Sequence, residues 1–244
     1  MTNLALAKTE KLEENPPAPQ PSPAVQDYLR VLYKLSLRSP DGRVQTNHLA
    51  NTLGVRPASV TGMMQKLAAG EPPLVDYHKY QGVRLSDAGQ TEALAIVRRH
   101  RLIELYLHEK LGYSWDEVHE EADRLEHVLT DAVVARLAEV LDNPVTDPHG
   151  HLIPQADLSL ETIRTLPLSQ LPAHVSGEIG HVRDDDPAVL RALALLGLHP
   201  GIVVSVMANE SSEDQMLITI ANQTEPVEMD RRTAGQIFVR YEAG

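Results

Sequence analysis

Residues 46–85 read TNHLANTLGVRPASVTGMMQKLAAGEPPLVDYHKYQGVRL. Leu49, Ala50 and Leu53 recur at helical spacing, so a short helix capped by Thr46 is expected, closed by Gly54. Pro57 suits the first turn of a further helix over Ala58–Ala69. Leu74–His78 then has strand character, Lys79-Tyr80-Gln81-Gly82 forms a tip, and Val83–Leu85 returns. Helix, tight turn, helix and hairpin is the order of a winged helix-turn-helix, whose second helix lies in the major groove with its N-terminal residues at the base edges. Those positions hold Arg56, Pro57, Ala58, Ser59 and Gly62, small enough for close approach and for readout of DNA shape and methyl groups. Arg56, Lys66, Lys79 and Arg84 are the candidate phosphate clamps.

The charge distribution agrees with that reading. The chain of 244 residues carries a net charge of −12, unpromising for a DNA binder as a whole. Residues 24–102 nevertheless hold 11 Lys/Arg against 6 Asp/Glu, whereas residues 103–244 hold 9 against 25. One part meets phosphate, while the other binds cations or keeps the chain soluble. The absence of cysteine excludes disulfides, thiolate metal sites and cysteine catalysis. The longest apolar run, near Ala188–Leu198, is interrupted by Arg191 and falls short of a bilayer span. The N-terminus lacks a signal-peptide pattern, so a cytoplasmic protein with no membrane partner is expected.

Upstream, residues 1–23 are polar and proline-rich and read as a disordered arm. Ala24–Arg38 has helical spacing in Val25, Leu29, Leu32 and Leu35. Downstream, Ser86 starts a long helix, roughly Asp87–Leu111, that stops at Gly112. Ser114-Trp115-Asp116-Glu117 is a capping box, opening a helix expected to run to about Leu129. Thr130 opens another over Ala132–Leu141. Residues 145–172 have little periodicity and read as a linker. Ala173–Tyr241 alternates short apolar runs (Ile202–Met207, Met216–Ala221, Gln236–Val239) with turns and one helix near Pro187–Leu196, which suggests a small β-barrel. The expected fold is mainly α with a small β-barrel. Its divisions are an arm (1–23), a DNA-binding domain (24–95), a helical domain (96–146), a linker (147–172) and a C-terminal domain (173–244).

His119, Asp123, Glu126 and His127 fall at i, i+4, i+7 and i+8, one face of a helix. The preceding helix adds His100 and Glu104, again i and i+4. Two such stripes on neighbouring helices point to a cation site, and imidazole with carboxylate but no thiolate suits Mn²⁺, Fe²⁺ or Zn²⁺. The bland alternative is a pair of solvated polar faces. His149 and His151 could imitate a chelate, but a loop around Pro148 and Gly150 is the simpler reading.

Asp27-Tyr28-Leu29, Leu85-Ser86-Asp87-Ala88-Gly89, Arg99-His100-Arg101-Leu102, Glu126-His127, Pro148-His149-Gly150 and Leu195-Leu196-Gly197-Leu198-His199-Pro200-Gly201 together resemble the diphtheria toxin repressor family of iron- and manganese-responsive regulators. The resemblance covers nearly everything from residue 24 onward. It implies a winged helix-turn-helix, a helical dimerisation domain and an SH3-like C-terminal domain, in a homodimer binding a palindromic double-stranded operator of metal-homeostasis genes. It also implies a primary site of Asp27, Asp123, Glu126 and His127. An ancillary site would comprise His100, Glu104 and His119, capped by Glu178 and His181. Iron-type members place Met and Cys where this chain has Asp27 and Asp123, so hard carboxylates favour Mn²⁺. Arg30 stands where small manganese regulators carry a Glu ligand, which speaks against their closely spaced two-metal cluster. The rival readings are a winged-helix regulator of a small organic ligand and a metallohydrolase using His119-Glu120-Glu121-Ala122-Asp123. No separate nucleophile or oxyanion arrangement supports the second, and no enzyme is expected.

Overall fold

A computed structural model describes residues 20–207, 214–221 and 223–241. Most of the expected arm lies outside the described residues. The N-terminal unit contains α1 (Pro23–Ser36), α2 (Thr46–Leu53), α3 (Pro57–Ala68) and a hairpin of β1 (Val75–His78) and β2 (Gly82–Leu85). Gly54 ends α2 at φ 64°, in the left-handed region that the turn into α3 requires. Thr46 is the first helical residue rather than the cap: Gln45 holds the capping position, without a side-chain hydrogen bond. Leu29, Leu32, Leu49, Val60, Met64 and Val83 form the buried centre of this unit.

The long helix α4 (Asp87–Leu111) runs from the wing into the next unit, roughly 37 Å at 1.5 Å per residue. Its first half packs Ala93, Ile96 and Val97 into the N-terminal core. Its second half packs Leu102, Ile103, Leu105 and Leu107 against α5 (Val118–Leu125) and α6 (Asp131–Val140). Only half of the expected capping box forms: Glu117 Oε2 accepts from the Ser114 amide at 3.1 Å, but Glu117, not Ser114, is the residue that caps the helix. Regular helix is confined to Val118–Leu125, so Glu126 caps its end and His127 lies in the turn beyond it.

The C-terminal unit contains β3 (Leu166–Pro167), β4 (Ser176–Val182), α7 (Pro187–Leu195), β5 (Val203–Val206), β6 (Gln215–Ile220), β7 (Val227–Asp230), α8 (Arg231–Ala234) and β8 (Ile237–Arg240). The strands form one antiparallel sheet in the order β3-β8-β4-β5-β6-β7. Its end strands β3 and β7 do not pair with each other among the described residues, so the sheet is open and not the closed barrel expected. The physical reason lies in β3, which is two residues long and contains Pro167, an edge residue with no N–H to offer.

The segment expected as a linker is firmly anchored. Asp147, His149 and Ile153 are buried. Arg98 and Arg101 of α4 donate to the carbonyls of Pro154 and Leu152, and the Val182 amide donates to the His149 carbonyl. Leu166–Gln170 already belongs to the sheet unit as β3 and a 3₁₀ turn. Trp115, from the loop before α5, inserts into the core of that unit beside Leu168 and Leu193. Its carbonyl accepts from His149 Nε2 at 2.7 Å, and the neighbouring Asp116 pairs with Arg191 at 2.9 Å. Trp115→Ala is therefore expected to cost about 3–5 kcal/mol. It should release the C-terminal unit, seen as new cleavage between residues 155 and 165 in limited proteolysis. An unchanged digestion pattern would show that Trp115 is not the latch.

Candidate metal centre and nucleic-acid surface

The side chains expected to ligate metal meet where α1, α4 and the end of α5 converge. Asp27 Oδ1 is 3.1 Å from His127 Nε2, and Glu126 Oε1 is 3.8 Å from the same nitrogen. These three residues bring donor atoms within 4.8 Å of one another. The buried Gln26 fixes the imidazole: its Nε2 donates to the Pro21 carbonyl at 2.7 Å, so its Oε1, 2.9 Å from His127 Nδ1, accepts that ring N–H. Gln26 thereby turns His127 Nε2 towards the Asp27 carboxylate at 3.1 Å, where a proton or a metal ion can bridge the two. Sequence reasoning missed Gln26 because glutamine is not a ligand and its role shows only in three dimensions.

Asp123, expected beside Asp27, instead shares a donor group with His100 and His119. Arg30 lies between the two groups, its Nη2 2.7 Å from Asp123 Oδ1 and its Nε 3.3 Å from Glu126 Oε1. Glu126 is fully buried and joins the groups, since its Oε2 is 2.7 Å from His100 Nδ1. His100 Nε2 is 3.0 Å from Glu104 Oε1, which is also 3.0 Å from His119 Nδ1. Burial works against charge on His100, but Glu104 and Glu126 overcome it and push its pKa up to about 9. Burial likewise opposes the charge on Glu104, whose carboxyl is still held well below the usual range by His100 and His119.

The expected cap of the ancillary group is only partly present. Glu178 sits on the outer side of β4, exposed, 3.9 Å from Arg240, and does not approach Glu104. The register shift between Ile179 and His181 puts Glu178 and His181 on the same face of β4, opposite Arg240 and Phe238, but Glu178 stands at the exposed end of that face. His181 stacks on Phe238 and lies beside His151, with burial and His151 lowering its pKa to about 4. Asp184, three residues further on, joins Glu104 and His119 as the nearby carboxylate. A further buried group, Asp147, His149 and His151, sits alongside. Asp147 Oδ1 accepts from the amides of His149 and His151, a loop-forming role, while Asp147 Oδ2 and His149 Nδ1 have no hydrogen-bond partner.

Whether such a centre suits a divalent metal can be tested on its donors. Glu126 Oε1 and Glu104 Oε2 are buried carboxylate oxygens that accept no hydrogen bond. A buried anion left half-satisfied is costly unless a cation completes it. The donor set is carboxylate and imidazole throughout, which fits first-row divalent ions harder than those favouring thiolate.

At the other end of α4, Arg56 and Pro57 are exposed at the start of α3, and Ala58, Ser59, Gly62 and Lys66 are exposed along one side of it, as a groove-facing helix requires. Lys79 is exposed at the hairpin tip, lying over the ring of Tyr80 at 5.0 Å. Arg84 is exposed but tied to Asp76 at 3.0 Å, which also holds Arg43 at 2.8 Å. Arg84 therefore contributes less free positive charge than its sequence position suggests.

Comparison with known proteins places these features in a family. Residues 22–83 match the N-terminal DNA-binding domain of iron-dependent repressors, residues 86–155 their metal-binding and dimerisation domain, and residues 166–241 the FeoA domain. The chain is 34% identical over 161 residues to the iron-dependent repressor IdeR of Mycobacterium leprae, spanning 60% of this chain and 70% of that protein. It is 28% identical over 207 residues to the diphtheria toxin repressor of Corynebacterium jeikeium, spanning 75% of this chain and 84% of that protein. A manganese-dependent transcriptional repressor solved in complex with manganese superposes with a TM-score of 0.83 at 36% identity, over 89% of this chain and all of that one. The repressor ScaR with bound Zn²⁺ gives 0.74 at 31% identity, over 89% of this chain and 99% of that one. With the winged helix, the convergent carboxylates and imidazoles and the C-terminal sheet in agreement with these matches, the chain belongs to the iron-dependent (diphtheria toxin) repressor family of metal-dependent transcriptional regulators.

Proposed function

We propose that this chain is a Mn²⁺-activated, homodimeric repressor of metal-homeostasis genes, acting in the cytoplasm on palindromic operators and without enzymatic activity. The observation that carries the metal reading is the pair of buried carboxylate oxygens that accept no hydrogen bond, Glu104 Oε2 and Glu126 Oε1 (the latter faced by Arg30 at 3.3 Å), within an all-oxygen-and-imidazole donor set. Asp27, Glu126 and His127, with Asp123 reached once Arg30 moves, would hold the primary ion. Glu104 and His119 with Asp184 would hold the second, His100 lying between the two groups and Asp147 and His149 beside them. Mn²⁺ is favoured over Fe²⁺ and Zn²⁺ by the hard donors.

Bound metal supplies positive charge that cancels the repulsion among these carboxylates. The chain's own residues turn that charge into geometry. Asp27 belongs to α1 of the DNA-binding unit, whereas Glu126 and His127 belong to the helical unit, so drawing them together fixes the angle between the units. In a dimer this sets the two α3 helices at a separation near 34–36 Å, one turn of DNA. α3 presents Ala58, Ser59 and Gly62 to the bases, while Arg56, Lys66, Lys79 and Arg84 meet phosphate.

Fluorescence anisotropy on fragments upstream of metal-transport genes, at fixed salt, tests the reading. Tight binding is expected with Mn²⁺ and not with chelator, and it should be lost in Asp123→Ala and His127→Ala. Binding indifferent to metal would overturn it and leave a winged-helix regulator with another effector. Gly62→Ala probes the DNA surface separately. A Cβ there meets nothing within 4 Å, so Ala should stabilise α3 by about 1 kcal/mol. Operator affinity should fall all the same, because the added methyl lies between the helix and the groove. If stability and affinity rise together, Gly62 does not face DNA.

A further inference from the structure

Each of the two candidate metal groups already contains a cation, and both cations come from one stripe of α1. Arg30 places Nη2 2.7 Å from Asp123 and Nε 3.3 Å from Glu126. Four residues on, one helical turn, Lys34 places Nζ 2.5 Å from Asp184 and 2.6 Å from Asp185. We propose that Arg30 and Lys34 are resident cations that a divalent metal must displace, so that they set the metal concentration at which the repressor responds. This rests on the metal-activated reading of the chain.

The geometry supports competition rather than reinforcement. Arg30 reaches the very carboxylates that would bind metal, Asp123 and Glu126, and Lys34 reaches Asp184 in the second group. Buried carboxylates need a cation, and these side chains let the metal-free protein meet that need from within. A metal then gains only the difference between its own attraction and that of the guanidinium or ammonium it replaces. Arg30 cannot leave by losing its proton, so it must move. Room exists beside it: a cavity of about 370 Å³ is lined by Arg30, Lys34, Arg38, Glu104 and Phe238, between α1, α4 and the sheet. Because α1 also carries Asp27, metal pulls one residue of the helix inward while driving two others out. That opposition would turn ion binding into a shift of α1, and so of the DNA-binding unit.

Competition of Mn²⁺ against a fluorescent chelator, on the full chain without DNA, tests the proposal. Arg30→Gln is expected to tighten one site by about tenfold, the scale of a lost desolvated charge pair. Lys34→Gln should tighten the other, and both metal-free variants should melt at lower temperature than wild type. Affinities unchanged or weaker in both would overturn the proposal while leaving metal activation intact. Failure of wild type to bind Mn²⁺ would instead overturn the metal reading itself. A measurement on wild type covers the case in which a variant does not fold. The Arg30 Nε–H resonance, assigned by its loss in Arg30→Lys, should shift and exchange faster with water as diamagnetic Cd²⁺ is added. A resonance unmoved at saturating Cd²⁺ would overturn displacement.

Discussion

Glu126→Gln is expected to abolish metal-dependent DNA binding and to weaken metal binding by more than about 100-fold, beyond the loss seen when a merely supporting partner is removed. Glu126 is fully buried, and its two oxygens face different groups: Oε1 towards Arg30 and His127, Oε2 towards His100. One substitution therefore removes charge from both. Gln has the same shape, so the effect is electrostatic and not a cavity. The metal-free protein should lose stability too, because Arg30 and a protonated His100 each keep their burial but lose a counter-charge. Breaking one side of a buried pair costs about 3 kcal/mol. Urea unfolding with chelator and anisotropy across a Mn²⁺ titration read the two effects separately. A variant within twofold of wild type in its metal response would remove Glu126 from the centre.

The helical half of the molecule is legible in the sequence because its signals are local. Pro57, Gly54, Ser86 and Gly112 mark helix ends by backbone chemistry alone, and each stands at or next to the end it marks. The spacing of His100, Glu104, His119, Asp123 and Glu126 implies shared faces, and the structure does bring these residues together. What spacing does not convey is which residue of another element comes to meet them. Asp184 reaches Glu104 and His119 only because the sheet unit docks on α1 and α4, and Glu178, though on the same face of β4 as His181, stands exposed beside Arg240. Arg30 stands out in the sequence as a departure from a ligand pattern, but its insertion among the carboxylates depends on the packing angle of α1 across α4 and α5. The open edge of the sheet comes from a strand of two residues, too short to register as a strand in a proline-rich stretch.

Gly89→Ala should produce the opposite signature to Glu126→Gln: metal binding retained, DNA binding lost at every metal concentration. Gly89 lies in the first turn of α4, where its amide donates to Ser86 Oγ at 3.0 Å and the helix start is pressed against the strand leading into the hairpin. A Cβ there would lie 1.8 Å from the Leu74 carbonyl oxygen. That obstacle is backbone, and it is already bonded to the Ser86 amide at 3.1 Å, so it cannot swing aside as a side chain would. Either α4 or the wing must move. The cost should reach the upper part of the overpacking range, about 3 kcal/mol. It outweighs the gain of roughly 1 kcal/mol that Ala normally brings to a helix interior. The damage stays at this end because His100 and Glu104 lie three and four turns further along α4, where their contacts with α5 are independent of the wing. Calorimetric Mn²⁺ titration and operator anisotropy on the same preparation would separate the two ends of the helix. If Gly89→Ala bound operator like wild type, α4 could not be the rigid member that joins the metal centre to the winged helix, and the coupling would have to run through α1 alone.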